Sequence, residues 1–138
     1  MLEYKVQIRR IGPEAMLMHE VGIANSILEA GHRELALRPG STLVSIGVRV
    51  GVLSGVDIEA LRFAFECLVA GTGDEKVRFV PESCPRTNRC TACEREFPSP
   101  AESPFLDAPC PYCGSTRTQF VSGDELDLTF VEIEEPSS

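Results

Sequence analysis

Residues 44–73 read VSIGVRVGVLSGVDIEALRFAFECLVAGTG, and this stretch decides what kind of fold the chain can build. Val44, Ile46, Val48, Val50 and Val52 alternate with smaller or polar residues. That period of two is the mark of a half-buried strand. Gly51 and Ser54-Gly55 break the strand. Ser54 and Asp57 then stand at capping-box spacing ahead of a helix expected over residues 57–70. Ile58, Leu61, Phe65 and Leu68 form its apolar stripe, and Gly71 and Gly73 are its stop signals.

Working outward from that unit, residues 18–37 have the texture of a second amphipathic helix. Val21, Ala24, Ile27, Leu28 and Leu35 recur at three- and four-residue steps, and Pro39-Gly40 ends the run. A short strand is expected over residues 75–80. Composition changes at Pro81: from there to Ser122 the chain holds five of its six cysteines and seven of its ten prolines, with few aliphatic residues. Such a segment cannot build a core of its own and needs a cross-link. After Gly123-Asp124, the positions Leu126, Leu128 and Phe130, followed by Val131 and Ile133, read as a last strand. Returning that strand to the first sheet makes 81–122 an inserted module.

The whole chain has 138 residues and a formal net charge of −8, from 21 acids and 13 bases. That balance opposes a nucleic-acid clamp, which needs a basic footprint to displace counterions, and a polybasic membrane anchor. No apolar run approaches the ~20 residues that span a bilayer. Glu3, Lys5, Arg9, Arg10 and Glu14 interrupt the first 17 residues, so no signal-peptide core is present and a cytoplasmic location is expected.

In a reducing compartment, paired cysteines read as metal ligands or redox groups. Cys90-Thr-Ala-Cys93 is followed by sixteen residues and then by Cys110-Pro-Tyr-Cys113. Two such knuckles aim four thiolates at one point and close a tetrahedron around Zn²⁺, leaving no open coordination position. A structural zinc is therefore expected, with a rubredoxin-like iron site as the competitor on spacing alone. Cys84 stands apart as a spare thiol, and Cys67 is expected to fill space in the helical core. With four thiolates and one Zn²⁺ the loaded protein comes near −10. There is no nucleophile–base constellation and no Gly-rich phosphate loop, so catalysis is not expected.

On spacing alone His19, in Met18-His19-Glu20, reads as an ordinary helical histidine. If the chain starts at Met18, His19 is the second residue and can offer its imidazole, the terminal amine and backbone amides in one plane, an arrangement that favours Ni(II) or Cu(II). His32, late in the same helix, reads as an ordinary surface or core-satisfied histidine. Asp57 is a secondary ligand candidate, with membership of the capping box as the alternative.

These motifs together resemble the HypA/HybF family, nickel metallochaperones for the maturation of [NiFe] hydrogenase. The resemblance runs from Met18 to Glu135 through Met18-His19-Glu20, VGVLSGVD (50–57), ALRFAFE (60–66), AGT (70–72), both knuckles, CPYCGS (110–115) and GDELDLTFVEIE (123–134). It implies an α+β fold of two helices on a three-stranded mixed sheet, with a four-cysteine zinc-ribbon-like module inserted before the last strand. It also implies nickel held by His19 with Met18 and Glu20, zinc held by Cys90, Cys93, Cys110 and Cys113, and delivery of nickel without catalysis. The implied partners are the GTPase HypB and the hydrogenase large subunit, with a homodimer compatible and neither nucleic acid nor membrane involved.

The corresponding division is residues 18–80 with 123–135 for nickel and 81–122 for zinc. Residues 1–17 depart from the family, whose members begin at the Met of Met-His-Glu. An early start codon is the favoured reading, and residues added for expression the other. A chain starting at Met18 has 10 bases and 19 acids, net −9. The alternative function is a zinc-ribbon protein-interaction module without nickel transfer.

Overall fold

The computed structural model of the chain describes residues 3–6, 20–100, 102–103 and 107–136. Its elements in order are β1 (Glu3–Val6), α1 (Glu20–Ala36), β2 (Thr42–Gly51), α2 (Ile58–Val69), β3 (Arg78–Cys84), β4 (Thr87–Cys90), β5 (Glu96–Pro98), β6 (Thr118–Ser122) and β7 (Leu126–Glu134).

One sheet has the strand order β1-β7-β2-β3. β2 lies parallel to β3 and antiparallel to β7, so the expected mixed trio is present. A fourth strand joins it: β1 pairs antiparallel with β7, Tyr4 opposite Ile133 and Val6 opposite Val131. β2, α2 and β3 form a βαβ unit, the connection a parallel pair requires. β1 and β2 both run against β7 and therefore parallel to each other, with α1 between them in the chain and β7 between them in the sheet.

The alternation expected of the decisive stretch holds for Ile46, Val48 and Val50 of β2, which are buried, with Arg49 exposed. The strand is not half-buried, however: Ser45 and Gly47 on the other face are buried too, and Val52, beyond the strand, is 38% exposed. Ile23, Ala24 and Ile27 of α1, Leu61, Ala64 and Phe65 of α2, and Leu126, Leu128, Val131 and Ile133 of β7 close over them in one core. The Phe65 and Phe79 rings stack at 5.1 Å and 20°. Each fully buried side chain of this kind contributes about 1.5–3 kcal/mol from removal of apolar surface from water.

Several local expectations shift. Asp57 is itself the N-cap of α2, its Oδ1 accepting from the N–H groups of Glu59 (2.9 Å) and Ala60 (3.3 Å). Ser54 Oγ instead accepts from Val56 N–H at 3.2 Å, so the three-residue spacing spans two successive turns and no capping box forms. Cys67 is exposed. Two residues beyond Phe65 is about 200° around a helix, which turns Cys67 away from the core. Val21 lies off the buried face of α1 and is 57% exposed. β3 starts later than the expected 75–80 strand and runs through Pro81 to Cys84. β3 is an edge strand, where a missing N–H can face solvent.

Gly47 marks the closest approach within the sheet. A Cβ there would lie 2.1 Å from Cε1 of Phe130, whose ring occupies that space. Gly47→Ala is expected to cost about 1–3 kcal/mol by overpacking. Phe130→Ala in the same chain should reduce that penalty, a coupling that urea denaturation of the two single variants and the double variant would read.

Candidate metal centre

β4 is the middle strand of a second sheet with the order β5-β4-β6. Each knuckle closes by the same backbone bonds. Glu94 N–H donates to Cys90 O at 2.9 Å in the first, and Gly114 N–H donates to Cys110 O at 2.8 Å in the second. Cys90 N–H is fixed to Arg95 O and Cys110 N–H to Ser115 O, both at 2.9 Å. The turns need a left-handed residue, met by Gly114 at φ 76° and by Glu94 at φ 66°. Glu94 is the one non-glycine residue with positive φ among the described residues.

These turns bring Cys90, Cys93, Cys110 and Cys113 together, with their sulfurs all within 4.8 Å of one another. Cys90 Sγ is 3.5 Å from Cys113 Sγ, and Cys93 Sγ is 3.6 Å from Cys110 Sγ. A tetrahedron with metal–sulfur bonds of ~2.3 Å has edges of ~3.8 Å, so the cluster already has the size of a four-thiolate metal site. The N–H groups of Cys93 and Tyr112 approach the sulfurs of Cys90 and Cys110 at 3.5 and 3.4 Å. The local core is small, with Phe97 buried beside Cys90 and Cys110.

These surroundings separate the thiols. The N–H of Cys93 and then that of Ala92, against the opposing effect of burial, bring Cys90 down to about 6. Burial pushes Cys110 up, but the N–H groups of Cys113 and Tyr112 outweigh it and the net shift is downward. The N–H of Ser115 lowers Cys113, yet the neighbouring Cys90 sulfur and burial prevail, and Cys113 is pushed up to about 11.

The ribbon is joined to the main sheet by a close-packed junction. Leu53 N–H donates to Gly123 O and Gly51 N–H to Glu125 O, both at 2.7 Å, and Val52 N–H donates to Cys84 O at 2.9 Å. A Cβ on Gly51 would lie 2.1 Å from Gly123 O. Arg86 braces the ribbon side, with Nε to Asn88 Oδ1 and one terminal nitrogen to Asp107 Oδ1, each at 2.9 Å. Asn88, 1% exposed, donates to Ser99 Oγ at 2.8 Å. Residue spacing holds no signal for these bonds, because Asp107 lies 21 residues from Arg86 and Ser99 lies 11 from Asn88.

Met18 and His19 lie outside the described residues. Glu20 is the first residue of α1. With Val21 it lines a shallow hollow against Ala60, Phe63, Ala64 and Cys67 of α2. Asp57 Oδ1 is committed to capping α2. Cys84, at the end of β3, is outside the four-sulfur cluster, and burial raises its pKa. His32 is held at the surface by Asp74, Nε2 to Oδ2 at 2.7 Å.

The family described as "Hydrogenase/urease nickel incorporation, metallochaperone, hypA" matches residues 18–133. The chain belongs to the HypA family. A hydrogenase maturation factor HypA of Synechococcus sp. is 36% identical over 116 residues, covering 84% of this chain and 99% of the relative. That of Solidesulfovibrio magneticus is 40% identical over 119 residues, covering 85% and 100%. The solution structure of the Ni metallochaperone HypA from Helicobacter pylori shares the fold, with a TM-score of 0.55 at 20% identity, covering 86% of this chain and 100% of that one. HypA proteins are maturation factors for nickel incorporation, not enzymes. Among the described residues no helix is long and apolar enough to cross a membrane.

Two outcomes follow for the thiol cluster. Because the ribbon depends on its metal to fold, loading the site at about pH 7.5 should release close to the four protons of four ordinary thiols, as measured by calorimetry in buffers of different ionisation enthalpy. In the assembled cluster Cys90 has a pKa of about 6. The lowered pKa stabilises the folded ribbon above the ordinary thiol value, and that contribution is lost as pH falls through about 6. Glu94→Gly should stabilise the metal-loaded ribbon by up to about 1 kcal/mol, because glycine carries no penalty at positive φ; thermal denaturation with metal in excess reads it.

Proposed function

We propose that this chain carries Ni(II) as cargo and delivers it to the large subunit of a [NiFe] hydrogenase in the cytoplasm. The observation that supports this most is the family match over residues 18–133, which spans both Met18-His19-Glu20 and the four-cysteine cluster. The two sites suit different tasks. A closed four-sulfur site retains its metal, whereas a site at the head of a helix can take up and release an ion.

In this reading Cys90, Cys93, Cys110 and Cys113 hold structural Zn²⁺. The donor set fits, being four sulfurs at tetrahedral spacing around a ribbon with almost no apolar core. Zinc would supply no chemistry beyond cross-linking, and its binding free energy is folding free energy for residues 81–122. The last four residues of β3, Pro81–Cys84, still pair with β2.

Nickel binding belongs to residues 18–80 and 123–135. His19 supplies imidazole nitrogen, with Met18 and Glu20 beside it. Asp57 is the secondary candidate: one of its oxygens caps α2, and the other is left for an ion approaching from the same end of the sheet. Where residues 1–17 are present, the Met18 nitrogen is an amide and the site rests on the imidazole and carboxylates; in a chain starting at Met18 the terminal amine joins them. A GTPase, HypB, would supply the energy and timing of transfer, since this chain has no phosphate-binding loop. A homodimer is compatible with this role.

Nickel titration of the zinc-loaded protein tests the reading. Wild type should bind one exchangeable nickel, more weakly at acidic pH because protons compete with the metal for its nitrogen ligand. His19→Ala should lose at least tenfold in affinity while keeping its zinc. Unchanged nickel affinity in His19→Ala would remove the mechanism, and iron in place of zinc, seen as a red protein, would remove the metal assignment.

A further inference from the structure

We infer that the outer edge of β7 is a strand-addition site, filled in this chain by its own N-terminal strand, residues 3–6. The family match begins at residue 18, so β1 is an addition to the fold that the family shares. Without β1, the order β1-β7-β2-β3 leaves β7 at the edge of the sheet. β7 is nine residues long, and Leu126, Leu128, Val131 and Ile133 are buried along it. A long, apolar edge strand with unpaired N–H and C=O groups is a ready template for another strand.

The opposite edge needs no such cover. β3 carries Pro81 in its middle, and a proline without an N–H blunts an edge by itself. β7 has no proline. Its edge is the one that requires an occupant.

The occupant fits by pattern as well as position. Residues 4–9 read Tyr-Lys-Val-Gln-Ile-Arg, with apolar residues at 4, 6 and 8 and bases at 5 and 9. The register sets Tyr4 and Val6 opposite Ile133 and Val131, both fully buried, and Lys5 opposite Glu132. A slip by one residue would exchange the two faces and set Lys5 opposite an apolar core position. In this register position 5 falls opposite Glu132 and position 3 opposite Glu134. Thirteen residues link Val6 to Glu20, so the strand is tethered to its site at high effective concentration. The site therefore selects a short extended segment whose apolar residues alternate so as to fall opposite Val131 and Ile133.

A proline scan of the full chain tests this. Alternate residues of an edge strand turn their N–H groups toward the neighbouring strand, so proline harms pairing at every second position only. Glu3→Pro, Tyr4→Pro, Lys5→Pro and Val6→Pro are compared by hydrogen exchange in the segment Val131–Glu134. Two of the four, two positions apart, should speed exchange there at least tenfold, while the other two leave it near wild type. The two disrupted variants should also bind a synthetic peptide of residues 1–10 at least tenfold more tightly than wild type does. Equal exchange in all four variants, whether slow or fast, or no gain in peptide binding on vacating the edge, overturns the inference. Nickel and zinc content do not enter this readout, so its failure leaves the metallochaperone reading standing.

Discussion

The structure depends on one constraint: β2 is hydrogen-bonded along both edges and covered by both helices. It pairs with β3 on one side and β7 on the other, so its backbone polar groups are satisfied within the sheet. Ile46, Val48 and Val50 can then be buried, with two helices packed over them. The opposite face of the strand is tight for a different reason. Gly47 admits the Phe130 ring, and Ser45 Oγ donates to Glu132 Oε1 at 2.7 Å. At its last residue, Gly51, the strand has no room for a side chain, because Gly123 O lies where a Cβ would stand. The strand thus positions the core and also fixes where the cysteine ribbon leaves the sheet.

That exit gives the ribbon its dependence on metal. Among the described residues, the only buried apolar side chains gathered around its cysteines are Phe97 and the two cysteines Cys90 and Cys110 themselves. A core that small offsets little conformational entropy. The hydrogen bonds of Asn88 with Ser99 and of Arg86 with Asp107 order the strands beside the junction, but the knuckles rely on their four sulfurs. The main sheet has its own extensive core, so metal loss should open one part of the molecule and leave the other folded.

Much of this was legible in the residues. Period two in 44–52 and the stripe of α2 report one-dimensional spacing, and β2 and α2 follow them. Two knuckles sixteen residues apart require no knowledge of topology, because each is a local turn. What spacing could not settle was how neighbouring turns divide the capping work: Asp57 and Ser54 each close a turn of their own. Nor could it settle the face of Cys67, which a sequence flanked by Phe65 and Leu68 disguises. Pro81 looked like the end of a strand, since only the finished sheet shows that β3 lies at an edge. The strand at Glu3–Val6 was the least visible feature, because four residues have no period to measure and their pairing partner is more than a hundred residues away.

The distribution of charge between the two parts has its own effect. Residues 85–122 carry four arginines and four acidic residues, so the whole formal charge of −8 lies outside the ribbon's ordinary side chains. Even with a tetrathiolate zinc adding −2, the ribbon is the less negative end of the molecule. Such a protein has an electric dipole. In the field of another acidic surface it experiences a torque as well as a repulsion, and it turns so that the ribbon leads the encounter. Orientation is then partly set before any contact forms, and the effect fades at ionic strengths where the screening length falls below the size of the protein.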